Sequence, residues 1–210
     1  VLAADKLNAQ SKWTSLKAGA DEVAFVGIDG LTVSGQNMEV EINRAAPDGS
    51  LLDYSTKTLD VLTGPGQTMA FDMKASEGAI IRASGDLHLN LFNFFSVDGS
   101  FAFEKKMATL KVTDSGNVTN DVAVDLLTLG ASDVSAFAGL NGGSSDALGL
   151  SLGDVDFAMA LLSDRGEPSR KWTTLKASAG SAAFTGIDGL VVEADSLSVT
   201  INKASVDGAL

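Results

Sequence analysis

A phrase returns in this chain after 159 residues (172 − 13), and that return constrains the fold more than any other feature. Lys12-Trp13-Thr14-Ser15-Leu16-Lys17-Ala18 reappears as Lys171-Trp172-Thr173-Thr174-Leu175-Lys176-Ala177. At the same offset Phe25-Val26-Gly27-Ile28-Asp29-Gly30-Leu31 becomes Phe184-Thr185-Gly186-Ile187-Asp188-Gly189-Leu190. The match runs without a gap through Val40-Glu41-Ile42-Asn43 against Val199-Thr200-Ile201-Asn202, and on to Asp48-Gly49 against Asp207-Gly208. Roughly half of the overlapping positions are identical, far above chance self-similarity. The expectation is one long period plus the start of the next, a segment of a longer array.

A shorter unit recurs inside the period in diverged form. Its landmarks are Leu16-Lys17-Ala18, Met73-Lys74-Ala75, Leu129-Gly130-Ala131 and Leu175-Lys176-Ala177, spaced 57 (73 − 16), 56 (129 − 73) and 46 (175 − 129) residues apart. The division this suggests is a tail of a preceding repeat over 1–15, units over 16–72, 73–128 and 129–174, and the next long period from 175 to 210. Stacked units of this size line up equivalent residues. The expected ladders are therefore Phe25, Ile81, Phe137 and Phe184 on one line, and Leu16, Met73, Leu129 and Leu175 on another.

Hydrophobic residues alternate with polar ones. Met38, Val40 and Ile42 bracket Glu39 and Glu41; Leu87, Leu89 and Leu91 bracket His88 and Asn90; Leu197, Val199 and Ile201 bracket Ser198 and Thr200. A period of two puts one face of a strand in an apolar layer and the other toward water. Turn signals punctuate the strands at Asp29-Gly30, Asp48-Gly49, Gly64-Pro65-Gly66, Asp98-Gly99, Asn141-Gly142-Gly143, Asp188-Gly189 and Asp207-Gly208. The three prolines, Pro47, Pro65 and Pro168, fall in loops by the same reading. Only Val1 to Gln10 and Asp133 to Leu140 also fit short helices. The predicted class is all-β: a stacked β-repeat array resembling a β-solenoid, or alternatively a string of antiparallel β-sandwich domains.

The chain is acidic, with formal net charge −12 and sequence pI near 4.3. Nucleic acid is thereby disfavoured as a partner, since binding there needs clustered Lys and Arg. No apolar run of about 18 residues occurs, so no membrane-spanning helix is expected. At 45% hydrophobic and mean hydropathy +0.17 the chain has the apolar content of a folded protein. With no cysteine, zinc-thiolate sites and thiol nucleophiles are excluded.

Candidate chemistry is sparse. His88 is the only histidine, so a Ser-His-Asp mechanism would have to use it; its alternating context reads first as an outward strand position. Glu39 and Glu41 lie on one strand face, but their equivalents are Ser198 and Thr200, so a glycosidase pair has no support in the repeat. The Asp-Gly turns and the cluster Asp114-Ser115-Gly116-Asn117 through Asn120-Asp121 carry oxygens suited to Ca²⁺, yet no Asp-x-Asp-x-Asp-Gly loop is present. Asn117-Val118-Thr119 matches a glycosylation sequon by pattern alone. Trp13 and Trp172 are equivalent, and one per long period reads as packing ahead of a sugar-stacking platform. No catalytic, cofactor or metal residue is assigned, and the expected answer to enzymatic activity is no.

The phrases Trp-Thr-x-Leu-Lys-Ala, Phe-x-Gly-Ile-Asp-Gly-Leu (from Phe25 and Phe184) and Asp154-Val155-Asp156-Phe157-Ala158-Met159-Ala160-Leu161-Leu162 resemble the repeats of very large bacterial secreted or surface proteins of the LEPR-XLL type. That resemblance implies an extracellular or cell-surface, extended β-protein. The function expected is a structural stalk, fibre or adhesin shaft whose partners are its own repeats, in a homopolymeric filament, with a cell-surface or glycan ligand at most. A carbohydrate- or Ca²⁺-binding surface is the alternative, and a β-helical polysaccharide-active enzyme the third.

Overall fold

Alternating segments become long antiparallel strands, each hydrogen-bonded to its sequence neighbour. The computed structural model describes residues 1–8, 10–113 and 118–205. Its strands are β1 (Leu2–Ala4), β2 (Lys12–Phe25), β3 (Leu31–Arg44), β4 (Leu59–Gly64), β5 (Gln67–Phe71), β6 (Ile80–Leu91), β7 (Phe95–Thr113), β8 (Thr119–Leu140), β9 (Leu148–Asp164), β10 (Lys171–Thr185) and β11 (Val192–Ala204). Nine of them form one open sheet in the order β1-β2-β3-β6-β7-β8-β9-β10-β11, while β4 and β5 make a separate hairpin. The protein is all-β, and no α-helix occurs among the described residues.

Among the described residues the strands form neither solenoid coils nor two sheets packed face to face. The expected ladders are likewise not formed. Leu129 and Leu175 share a row through Met159, but Leu16 lies in the row with Ile42 and Ile81, and Met73 lies outside the sheet in a small core. Phe137 pairs with Ser96 and Ser151 on the face opposite Phe25 and Phe184. The sequence division at 128/129 falls within β8.

Two local readings also need correction. Asp133 to Leu140 is strand, not helix, because Val134, Ala136, Ala138 and Leu140 line one face while β7 and β9 pair with it on both sides. Residues 1–8 carry β1 rather than a helix. Asp98-Gly99 lies inside β7, and its glycine serves close packing: an added Cβ would come within 2.6 Å of Val134 Cγ2. The other described turn signals do connect strands, with Gly30, Gly49, Gly66, Gly143 and Gly189 at positive φ. Asp207-Gly208, Asp114 to Asn117 and the sequon's Asn117 lie outside the described residues.

Cross-strand register gives the sheet two chemically distinct faces. One row reads Ala18, Val40, Ala83, Phe103, Leu129, Met159, Leu175, Ile201 across eight strands. Another row on the same face, six residues farther along β6, reads Phe25, Val33, Leu89, Val97, Ala136, Leu152, Ala182, Ala194. The opposite face carries Lys17, Glu41, Arg82, Glu104, Thr128, Ala160, Thr174 and Asn202 in one row.

Left-handed residues interrupt the strands at Asn37, Asp133, Asp154 and Ser196, with φ of 51°, 53°, 52° and 57°. Asn37 and Ser196 are equivalents at offset 159, so this interruption recurs with the period. At Asn37 it is a bulge, two residues of β3 standing against Gly85 of β6, and Met38 folds over the glycine.

Two clusters of buried side chains lie on the polar side, near one end of the strands. The excursion 45–79 folds back there so that Tyr54, Phe71 and Met73 bury Ile80, and the ends of β7 and β8 bury Val112 and Val124 with Trp172. The accessible surface is 13253 Å². A compact monomer of this mass would expose about 9,200 Å². That excess is the signature of a sheet whose faces are largely open.

Candidate functional site

The largest built feature is the apolar face. Along β9 and β10 its side chains are half-buried by one another while their polar-face neighbours are exposed, as in Val155, Phe157 and Met159 against Asp156 and Ala158. Nothing among the described residues covers it. Phe25, Val33, Leu87, Leu150, Leu197, Val199 and Ile201 remain between 36% and 52% exposed. A cavity of about 290 Å³ opens near its centre, floored by Ala83 and Gly85 and walled by Met38, Phe101, Phe103 and Phe157. Contiguous exposed apolar surface of this extent is uncommon on a soluble monomer.

The polar face is held by a charge network. Lys17 Nζ lies 3.0 Å from Asp72 Oδ1, 3.1 Å from Glu41 and 3.5 Å from Glu39. Arg82 bridges Glu41 at 3.1 Å, Glu77 at 3.2 Å and Glu104 at 2.6 Å, and Lys106 reaches Glu104 at 2.7 Å. Burial pushes the Lys17 ammonium down, but hydrogen bonds to Asp72 and Glu41 outweigh it and hold the group protonated beyond its ordinary range. The bond from Lys17 holds the Asp72 carboxyl below the usual carboxylate value. For Glu104, burial pushes the carboxyl up and the bonds from Lys106 and Arg82 bring it down by more. Glu39 and Glu41, the carboxylates singled out in the sequence, are therefore members of an ion-pair ladder.

His88 sits on the polar face directly opposite Asp98 of β7, with Nδ1 hydrogen-bonded to the Asp98 carboxylate. On its other side the register places Ser34 of β3. Ser, His and Asp thus share one row, an arrangement invisible in sequence because the three residues come from three strands. No hydrogen bond joins Ser34 to His88 among the described residues, and the surrounding sheet commits its backbone N–H groups to strand pairing. The row lacks the coupled nucleophile and the free oxyanion donors of a working triad.

Among the described residues no three His, Cys, Asp or Glu side chains converge as a metal site. The acidic residues make local contacts: Asp48 accepts from Ser50 and Ser11, and Asp86 from Ser100 and Asn37. Trp172 is buried against Val112 and Val124, with the Arg170 guanidinium carbon 5.2 Å from its ring centroid. Trp13 donates its indole N–H to Ser50 at 3.1 Å. Among the described residues no helix is long and apolar enough to cross a membrane. Comparison with known proteins finds no matching family model, no matching curated protein and no matching solved structure.

Proposed function

We propose that this chain is a stretch of an extended structural protein, an extracellular or cell-surface shaft built by adding strands to one sheet. One observation carries the reading. β1 pairs with β2 as Leu2↔Thr14, Ala3↔Trp13 and Ala4↔Lys12, and β9 pairs with β10 as Leu161↔Thr173, Leu162↔Trp172 and Ser163↔Lys171. Every one of these partners is related by the 159-residue offset. The sequence period is thus a period of the sheet, made of β2, β3, β6, β7, β8 and β9 before β10 repeats β2. Because six is even, strand direction is preserved, so the pattern continues without reversal.

Growth of this kind gives length in proportion to repeat number, and stiffness from unbroken ladders. The acidic charge keeps a long β-ribbon soluble and discourages edge-to-edge aggregation. The likeness of its phrases to those of giant bacterial surface proteins supports the extracellular placement.

The apolar face gives the shaft its partner, a second copy of itself. Eight strands about 4.8 Å apart, crossed by about 27 Å of apolar rows, present about 900 Å². A stable interface needs about 800 Å² from each partner. Lateral pairing of shafts through this face makes a filament.

Electron microscopy of chains in which residues 1–203 are followed by one, two or four copies of residues 45–203 tests the reading. The particles should lengthen by the same increment, at most about 29 Å of sheet per copy at about 4.8 Å per strand. Beads joined by flexible linkers would overturn it.

A further inference from the structure

The β11 edge is a preformed socket. β11 is the equivalent of β3 at offset 159, and β3 is paired on both sides, to β2 and to β6. Among the described residues β11 pairs with β10 alone. What fills the second side of β3 therefore tells what fits β11.

A bond between β2 and β3 and three contacts from it and its neighbours help fix the segment that follows β3. Ser15 Oγ donates to Asn43 Oδ1 at 3.1 Å, and Asn43 Nδ2 donates to the Leu52 carbonyl at 2.9 Å. Tyr54 Oη donates to Ser15 Oγ at 3.0 Å. Lys17 Nζ donates to Asp72 at 3.0 Å. Leu52, Tyr54 and Asp72 all belong to the excursion 45–79, which leads into β6.

The receiving half of this arrangement is present again. Thr174, equivalent to Ser15, donates to Asn202 Oδ1, equivalent to Asn43, at 3.0 Å. Asn43 is 0% exposed whereas Asn202 is exposed, and Asn202 Nδ2 has no acceptor among the described residues. Lys176, equivalent to Lys17, stands on the same face beside Thr174 without an ion-pair partner among the described residues. Its other former partners are gone, since Ser198 and Thr200 replace Glu39 and Glu41. That leaves an Asp72-type carboxylate as its one remaining complement.

We infer that the β11 edge, with Thr174, Asn202 and Lys176, binds a polypeptide segment with the chemistry of residues 45–91 of this same repeat. The incoming strand lies antiparallel to β11 in the β3–β6 register. Its Ile81, Ala83 and Leu89 stand opposite Ile201, Val199 and Val192, continuing the apolar rows, while its Leu52 carbonyl accepts from Asn202. The inference rests on the shaft reading for its biological setting but not for its chemistry.

The test joins residues 45–113 directly after Lys203, which is equivalent to Arg44, and follows amide hydrogen exchange in β11. Outward-facing amides of Val192 to Lys203 should exchange at least tenfold more slowly than in the parent chain. Asn202→Ala should then lower the melting midpoint, as Asn43→Ala is expected to do. Unchanged exchange in β11, with β8 and β9 still protected, would overturn the inference. Protection of β11 alongside tandem arrays that fail to lengthen would sink the shaft and leave the socket standing.

Discussion

Asn43 and Asn202 occupy equivalent positions of the repeat and keep one hydrogen bond in common, but only Asn43 has a second partner among the described residues. Each accepts a hydrogen bond from the hydroxyl on the neighbouring strand, at 3.1 Å from Ser15 and 3.0 Å from Thr174. Only Asn43 also donates to a carbonyl, that of Leu52, and only Asn43 is fully buried. Asn43→Ala removes the acceptor of the buried Ser15 hydroxyl proton and the donor to the partly buried Leu52 carbonyl, a loss of about 1–3 kcal/mol. Asn202→Ala should stay within about 0.5 kcal/mol. Urea denaturation of the two variants checks the contrast.

Met38 occupies the space a side chain at position 85 would need. A Cβ added to Gly85 would meet Met38 Sδ at 2.3 Å and the Gln36 carbonyl at 3.1 Å. Gly85→Ala should therefore destabilise by about 1–3 kcal/mol. Adding Met38→Ala to that variant should recover part of the loss, since only the thioether contact is then relieved. A double-mutant cycle by chemical denaturation reads the coupling.

Acid should loosen the polar face. Asp72, Glu77 and Glu104 are held below their ordinary carboxylate values in the folded chain. Groups shifted this way stabilise fully above the unfolded range near pH 4, and that contribution is lost as pH falls through the lowered values. Thermal melting should be nearly flat from pH 7 to about 5 and decline below about 4. Arg82→Met, which removes the shared partner of Glu77 and Glu104, should flatten that acid decline.

Lateral association should respond to charge on the apolar face. Val199 and Leu197 are 52% and 42% exposed on β11, so replacing them costs the isolated chain little. Val199→Lys with Leu197→Lys should weaken self-association at least about tenfold, equivalent to about 1.4 kcal/mol. Sedimentation equilibrium measures it. Undiminished association would move the contact to another surface.

The long period and the strands were legible because both are written locally. Alternation at Met38 to Ile42 and Leu87 to Leu91 reports a half-buried strand wherever it pairs, and the Trp13 and Trp172 phrases repeat residue for residue. The arrangement of strands was not legible. Period-two alternation is the same for a solenoid coil, a sandwich and an open meander, since it records that one face is apolar and not what lies against it. The finer unit misled for a related reason. Leu129-Gly130-Ala131 and Leu16-Lys17-Ala18 look alike because each places small and branched residues alternately on an apolar face, yet one lies mid-strand in β8 and the other in β2. Gly99 read as a turn because sequence does not distinguish a glycine that bends the chain from one that makes room for Val134. The Ser34, His88 and Asp98 row and the Lys17 and Arg82 network depend on register across strands, which no local pattern encodes.

The most direct measurement is diffraction from oriented fibres of the tandem chain, residues 1–203 followed by four copies of residues 45–203. If the sheet grows by adding strands side by side, the strand spacing of about 4.8 Å falls along the fibre axis. A longer spacing near 29 Å, six strands at about 4.8 Å, should accompany it on the same axis. A strand-spacing reflection perpendicular to the fibre axis, with no spacing near 29 Å along it, would contradict the account.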